Sequence, residues 1–171
     1  MNSESPLHDV ATTDELTGLL NQRGFNLLAD YLMVASQRRA EPLSFALIAL
    51  DDFGQINSHG GPEEGNKALV AMAGLMKNAF RDTDVISRSG GDRFAIIFAD
   101  TDEAGAFIAL EYLGEQVAEF NRTSGLPWQL SYSVGIVEYN ELVFTGRADI
   151  ILRAENEMQK MKANHQKSVG H

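Results

Sequence analysis

The spacing of apolar residues along the chain predicts regular elements before any other feature is considered. Between residues 21 and 39, apolar positions such as Phe25, Leu28 and Leu32 recur every three or four residues, which predicts a helix with one apolar face. The segment "LSFALIAL" at 43–50 is a short apolar run, the pattern of a strand that is buried on both faces.

A pair of glycines separates two further strand-like segments. "DVISRS" at 84–89 and "RFAIIFA" at 93–99 flank Gly90 and Gly91. Glycine tolerates the positive φ that a two-residue turn requires. The pattern therefore predicts a β-hairpin with the two glycines at its tip, next to the strand at 43–50.

The rest of the pattern completes an α+β fold. The order of helix, strand, helix, strand, strand, helix, strand and helix predicts a central, mostly antiparallel sheet flanked by helices. We predict one domain at 14–163, with a tail or linker stub at 1–13 and a tail at 164–171. The other predicted elements are a helix from near Pro62 to near Phe80, a helix capped by Asp102 that ends near Phe120, a strand at 128–139 and a helix at 148–162.

Composition and charge exclude several classes of protein. The 171 residues are 44% hydrophobic and 22% charged, which is ordinary for one globular domain. A formal net charge of -10 disfavours binding to nucleic acid or to an anionic membrane surface. No apolar run approaches the length of a membrane span and no secretory leader is evident, so we predict a cytoplasmic protein.

The chain also lacks the side chains of common metal and nucleophile sites. It has no cysteine, which excludes disulfides, thiolate zinc sites and cysteine nucleophiles and agrees with a reducing cytoplasm. The four histidines fall in predicted tails or a loop without partners at ligand spacing, so no histidine metal site is expected: His8, His59, His165 and His171.

Five short stretches together resemble the GGDEF family of diguanylate cyclases, in the order and spacing of that family. The resemblance covers about residues 12–163 and implies a fold like the catalytic core of nucleotidyl cyclases. It further implies that two facing domains each hold one GTP and condense the pair into cyclic di-GMP with two Mg²⁺ ions. The stretches are "DELTGLLNQRGF" (14–25), "ALDDFGQIN" (49–57), "GGPEEGN" (60–66), "SRSGGDRF" (87–94) and "YSVGI" (132–136).

The resemblance assigns catalytic roles to positions that this chain has substituted. The first metal carboxylate of the family falls on Ala49, and the acidic fourth residue of its signature falls on Arg93. Two lysines that contact the triphosphate fall on Gly54 and Asn156, which leaves Asp92 as the remnant catalytic and metal-binding carboxylate. Hard divalent cations require carboxylate oxygens, so we predict an inactive domain that takes up Mg²⁺ only together with GTP.

Guanine recognition is less altered than catalysis. The residues that read the base in the family fall on Asn57, which is intact, and Asn66, which replaces an aspartate and offers a weaker, uncharged acceptor. Asn66 has an ordinary alternative as a first-turn helix residue. Lys160 keeps a positive charge where the family has a second basic residue for the substrate.

The motif "RDTD" at 81–84 matches the Arg-x-x-Asp inhibitory site at which family members bind cyclic di-GMP as a stacked dimer. Arg81 offers a planar fork for phosphate or guanine, and Asp84 offers an acceptor for guanine N–H groups. Arg88 is a candidate for a further contact with this anionic ligand. The alternative is a surface ion pair of little energetic value.

Three functions remain open from the sequence. The first is a non-catalytic receptor for cyclic di-GMP, the second a cyclase with residual activity, and the third a ligand-free or GTP-sensing dimerisation module. In each case we expect the domain to be part of a larger multidomain signalling protein, with a homodimer as one possible assembly. We expect the domain itself to contact neither nucleic acid nor membrane.

Overall fold

The structure, a computed structural model, describes residues 10–169. Residues 1–9 of the predicted N-terminal tail, with His8, and residues 170–171, with His171, lie outside the described residues. In chain order the elements are a short 3-10 helix (Val10–Thr12), α1 (Gln22–Arg39), β1 (Leu43–Leu50), α2 (Phe53–Gly60), α3 (Pro62–Ala79), β2 (Val85–Gly90), β3 (Arg93–Ala99), α4 (Glu103–Thr123), β4 (Tyr132–Glu138) and α5 (Arg147–Val169).

The four strands form one sheet in the order β2-β3-β1-β4, and all three pairings are antiparallel. This confirms the predicted α+β class and the position of β1 beside the hairpin. Gly90 ends β2, where it pairs with Arg93, and Gly91 lies in the turn, so the tip is one residue later than predicted. The φ values of Gly90 and Gly91 are +126° and +53°, which residues with a Cβ rarely adopt.

Helices cover both faces of the sheet, and β1 contributes to both cores because its side chains alternate in direction. Ile48 and Leu50 pack with residues of α3 and α4. Phe45 and Leu47 pack with residues of α1 and α5. All eight residues of β1 are buried, as its apolar sequence predicts.

Local signals in the sequence set three helix starts. Asn21 caps α1 by accepting a hydrogen bond from the backbone N–H of Gly24 at 3.0 Å. Pro62 is the first residue of α3, where no intrahelical N–H is needed. Asp102 caps α4 by accepting from Gly105 N at 2.8 Å. These three starts confirm the predictions.

One additional helix and two boundaries differ from what the sequence predicts. The short helix α2 was not predicted, because its polar eight residues contain glycine and bury only Ile56. β4 begins at Tyr132 rather than at 128, since Trp128 lies before the strand and donates to Glu64 Oε1 at 2.9 Å. α5 continues to Val169, so that His165 lies on a helix.

Gly135 of β4 allows α5 to pack directly against the sheet. A Cβ at this position would lie 2.0 Å from the carbonyl oxygen of Ala154 and 2.6 Å from the nitrogen of Met158. Only a glycine fits so close to a helix backbone. The "YSVGI" stretch therefore has a packing role that determines where α5 lies.

The segment before α1 lies along the outer edge of β2. Leu20 forms an isolated parallel bridge with Ser87, and Leu20 O accepts from Arg88 N at 2.8 Å. Asp14 shapes the segment by accepting from the backbone N–H and the hydroxyl of Thr17 at 3.0 and 2.7 Å.

Within residues 10–169, no helix combines the length and the apolar character that crossing a membrane would require.

Candidate functional site

The carboxyl end of β1 meets the glycine turn, and Ala49 lies at this edge. Its register partners are Arg93 on β3 and Ser133 on β4. Ala49 is 1% exposed, so its methyl group is buried on one face of the sheet. The position that the resemblance assigns to a metal carboxylate is therefore apolar.

Asp51, two residues further on, is buried and fully hydrogen-bonded. Its Oδ1 accepts from Ser133 Oγ at 2.8 Å, and its Oδ2 accepts from Ser131 Oγ at 2.8 Å. The ring nitrogen Nδ1 of His165 lies 2.8 Å from Oδ2, and Lys162 Nζ lies 3.5 Å from Oδ1. This carboxylate therefore joins β1, β4 and the end of α5.

The hydrogen bonds to Asp51 make it a source of acid sensitivity. Burial by itself would raise the pKa of Asp51, but the hydrogen bonds from the two serines and His165 outweigh it and hold the pKa below its ordinary value of 3.8. A carboxyl group with a lowered pKa stabilises the fold at higher pH and loses this contribution as the pH falls through the folded-state value.

We expect the free energy of unfolding to decrease below about pH 4 in part because Asp51 becomes protonated. Asp51→Asn should remove that part of the acid dependence, while the exposed control Glu111→Gln should keep it. Urea unfolding from about pH 7 to about pH 3 measures the difference. Equal pH slopes for the wild type and Asp51→Asn would contradict this assignment.

Arg93 is turned towards α5. Its Nη1 donates to Glu155 Oε1 at 2.5 Å, and the two side chains are 38% and 28% exposed. Burial alone would raise the pKa of Glu155, but hydrogen bonds from Gln159 and Arg93 lower it below its ordinary value. Arg93 therefore fixes α5 to β3.

Lys162 forms a second connection between α5 and the edge. Its Nζ donates to the carbonyl oxygen of Leu50 at 3.1 Å, and its side chain is 24% exposed. The backbone N–H of the same Leu50 donates to the carbonyl of Asp92 at 3.1 Å, which places this ammonium group beside the glycine turn.

These residues do not fit a magnesium site. Mg²⁺ requires several oxygen ligands in octahedral geometry, and a neighbouring ammonium or guanidinium group repels it. Here Ala49 offers no oxygen, the Asp51 oxygens already have donors, and Lys162 contacts the Leu50 carbonyl. Among residues 10–169, no three His, Asp or Glu side chains are grouped so that they could hold a metal ion.

The predicted guanine-reading residues lie at the junction of α2 and α3. The Oδ1 atom of Asn57 is buried and has no hydrogen-bond partner among the described residues. Gly65 makes room for it, since a Cβ there would lie 1.9 Å from this oxygen. Asn66 is exposed at the start of α3. Lys160 lies on α5 and pairs with Glu157 at 3.2 Å, with 73% of its side chain exposed.

Arg81 and Asp84 form a close pair at the start of β2. Arg81 Nη2 lies 2.9 Å from Asp84 Oδ1, and the backbone N and Nε of Arg81 lie 2.9 and 3.3 Å from Oδ2. Nη2 also donates to Ala99 O at 2.8 Å and to Thr101 Oγ1 at 2.7 Å. Asp84 raises the pKa of Arg81, chiefly through their hydrogen bond, so the guanidinium stays charged.

The two members of this pair differ in exposure. The Arg81 side chain is 56% exposed and that of Asp84 is 2% exposed. Arg81 Nη1 makes no hydrogen bond within residues 10–169. The arrangement holds a charged guanidinium through Nε and Nη2 and leaves Nη1 without a hydrogen bond among the described residues.

Cavities adjoin Arg81 on two sides. One of about 440 Å³ is lined by apolar side chains that include Phe98 and Ile108 and by three aspartates, Asp84, Asp100 and Asp102. The other, of about 340 Å³, lies between Arg81 and the end of α1, where Arg39 is a second guanidinium that lines it. Arg81 therefore borders concave space on either side.

Arg88 lines neither of these cavities and has other partners. Its Nη1 donates to Asp14 Oδ1 at 3.1 Å and its Nε donates to Gly91 O at 3.0 Å. The side chains of Arg88 and Asp14 are largely buried against each other. In this structure Arg88 connects the segment before α1 with the glycine turn.

The sequence profile described as "Diguanylate cyclase, GGDEF domain" matches residues 11–168. The chain belongs to the GGDEF family. This match covers the glycine turn, the edge around Asp51 and the Arg81 cavities. It confirms the resemblance that the five sequence stretches indicate.

Relatives of this GGDEF domain are longer proteins. Diguanylate cyclase A of Treponema denticola is 28% identical over 171 residues, which cover 98% of this chain and 46% of the relative. The chain spans less than half the length of the first curated relatives that it matches.

Solved structures share the fold of this GGDEF domain. The diguanylate cyclase SiaD of Pseudomonas aeruginosa, solved with its activator SiaC, superposes with a TM-score of 0.83 at 26% identity, covering 92% of this chain and 60% of SiaD. A structure described as a novel interaction mode between a microbial GGDEF domain and cyclic di-GMP has a TM-score of 0.76 at 25% identity, covering 90% of this chain and 94% of that one.

Three residues of the GGDEF domain's candidate sites were not found from the sequence. Lys162 and His165 fall at the end of the last helix and beyond its predicted end, so no signal connects them with β1. Their three-residue spacing would have placed them on one face had the helix been extended. Arg39 at the end of α1 was missed because an exposed arginine there also suits the helix dipole.

Proposed function

We propose that this GGDEF domain is a catalytically inactive receptor for cyclic di-GMP, with Arg81 as its principal contact. One observation carries the proposal. The guanidinium group of Arg81, the arginine of the Arg-x-x-Asp motif, is exposed, is oriented by the buried Asp84 and borders two cavities. A side chain that is already ordered loses little entropy on binding, so each new hydrogen bond contributes more to affinity.

Asp84 orients the guanidinium group of Arg81 at this site. Both of its oxygens bind Arg81 and its side chain is 2% exposed. We propose that its main contribution is to orient the guanidinium, and that it accepts from guanine only where a ligand displaces part of that pairing. Nη1 of Arg81, which makes no hydrogen bond among the described residues, then donates to phosphate or to the guanine edge, as planar forks commonly do.

The proposal extends to the surroundings of the domain. Because the curated relatives are longer, we propose that the domain works as one part of a multidomain signalling protein, with a second copy as a possible partner. The proposed roles of Arg88 and Lys160 are secondary, since neither side chain lines the two cavities beside Arg81.

Titration calorimetry with cyclic di-GMP tests the site directly. We expect binding of about two ligand molecules per site that weakens as salt rises, because the ligand is a dianion. Arg81→Ala should reduce the affinity by about ten- to a hundredfold, equivalent to about 1.5 to 3 kcal/mol. Asp84→Asn should weaken binding less, since an amide still fills the buried position.

The matched control is Arg122→Ala. Arg122 pairs with Glu119 three residues away, as Arg81 does with Asp84, but on the exposed end of α4. Its removal should leave cyclic di-GMP binding unchanged. The absence of any heat with tens of micromolar protein would refute the receptor function and favour a dimerisation module. Equal binding by Arg81→Ala would refute Arg81 as the principal contact.

A second function is favoured by one observation. The Asn57 carbonyl oxygen is buried without a partner among the described residues, and it packs directly against Gly65, where a Cβ would collide with it. An unsatisfied buried acceptor is costly, and a guanine N–H is a donor of the required kind. We propose that the domain alternatively senses GTP through Asn57 without turning it over, which calorimetry with GTP and Asn57→Ala would detect.

A further inference from the structure

Lys162 contacts two oxygens at the carboxyl end of β1, and both are of the kind that binds metal ions. Its Nζ lies 3.1 Å from the Leu50 carbonyl oxygen and 3.5 Å from Asp51 Oδ1. An ammonium group has three donors and no acceptor, so it satisfies such oxygens as a monovalent cation does. Two oxygens of consecutive residues therefore share one internal positive charge.

This ammonium group is held in place by the packing of α5. Glu155, two helical turns before Lys162 and so on the same face, fixes the helix to β3 through Arg93. Between them Met158 is fully buried, and Gly135 lets the helix backbone approach β4. Lys162 is thus anchored by its helix and not only by its own ion pair.

The remaining groups at this edge oppose a divalent ion. His165 Nδ1 lies 2.8 Å from Asp51 Oδ2 and 3.1 Å from Ser133 Oγ, so the other Asp51 oxygen is also bonded. Ala49 contributes a buried methyl group and no oxygen. A divalent cation would have to displace Lys162 and would gain few new oxygens, because the available carboxylate is already satisfied.

We infer that Lys162 is a tethered cation that takes the place of a divalent metal ion at this edge, so that these oxygens need no metal ion to neutralise them. The inference goes beyond the proposed receptor function and does not depend on it, because Arg81 lies at a separate site. Failure of cyclic di-GMP binding would leave it unaffected, and its own failure would leave the Arg81 site unaffected.

The test is a titration of the purified domain with Mn²⁺, in which electron paramagnetic resonance measures the free ion. We expect the wild type to bind Mn²⁺ weakly and without a defined stoichiometry. Lys162→Met removes the charge while keeping the length of the side chain, and should tighten Mn²⁺ binding at least about tenfold, towards one ion per domain. Lys67→Met is the matched control, since Lys67 also pairs with a carboxylate but on α3.

Melting temperatures give a second readout that does not depend on measuring the free metal ion. The wild type should melt at the same temperature in MgCl₂ as in NaCl of equal ionic strength, whereas Lys162→Met should be stabilised by MgCl₂. Should Lys162→Met not fold, Lys162→Gln is measured instead, because its amide can still donate to an oxygen at this edge.

Two results would overturn the inference. One is defined binding of a single Mn²⁺, or stabilisation by MgCl₂, in the wild type. The other is Mn²⁺ binding by the folded Lys162 variant that does not exceed that of Lys67→Met.

Discussion

Incubated with GTP and Mg²⁺, the domain is expected to form no detectable cyclic di-GMP, as measured by chromatography with mass detection. The physical reason is the loss of metal ligands at the end of β1, where Ala49 presents a buried methyl group and Lys162 contacts the Leu50 carbonyl. Without a clamp on the attacking and leaving oxygens, phosphoryl transfer loses its main electrostatic stabilisation.

Restoring acidic residues should improve nucleotide binding before it restores turnover. Ala49→Asp and Arg93→Glu together supply two carboxylates, but the second change places like charge beside Glu155. Adding Glu155→Gln removes that repulsion and is the informative third change. Gly54 and Asn156 still leave the triphosphate without lysine contacts, so we expect tighter Mg²⁺-dependent GTP binding and little product.

The unmodified protein provides the decisive measurement. Robust product formation in the presence of GTP and Mg²⁺ would show that the substituted edge is compatible with catalysis, and the residual-cyclase alternative would then replace the receptor. A well-folded sample, verified by its melting curve, is the control for an absence of product.

Gly135→Ala is expected to cause the largest loss of stability among single substitutions considered for this domain. Its Cβ would lie 2.0 Å from a carbonyl oxygen and 2.6 Å from a backbone nitrogen of α5. Neither atom can move without shifting the helix, so the cost should be about 3 kcal/mol or more. Urea unfolding of the purified variant measures the loss.

Gly74→Ala is the matched control for this substitution. Gly74 lies within α3, and a Cβ there would meet no atom within 4 Å. Alanine is the better helix former, so this variant should be unchanged or more stable by about 0.5 to 1 kcal/mol. A Gly135→Ala protein as stable as Gly74→Ala would mean that α5 does not lie as closely on β4 as the structure shows.

Much of the fold could be predicted from the sequence because several of its signals are local. The apolar run of β1, the glycine pair and the three helix starts each depend on residues near in sequence. The helix α2 could not be predicted in this way, since one buried residue, Ile56, gives no periodic pattern. Its start also follows Asp52, which adopts φ of +58°, a left-handed conformation that aspartate tolerates better than most residues but that no apolar pattern indicates.

The candidate sites were harder to predict because they depend on contacts between distant segments. The Arg-x-x-Asp motif identified Arg81 and Asp84, but not that one is exposed and the other buried. Arg88 pairs with Asp14, which is 74 positions away in the sequence. Side-chain partners of this kind follow from the packing of whole elements, which spacing along the chain does not determine.

The bridge between Leu20 and Ser87 has a consequence for the behaviour of the protein in concentrated solution. β2 is an edge strand, and an open strand edge can pair with a strand of another molecule and begin aggregation. Because Leu20 accepts the hydrogen bond of the Arg88 N–H, part of that edge is already covered within the chain. The "DELTGLL" stretch that helps to identify the family therefore also protects its sheet against intermolecular strand pairing.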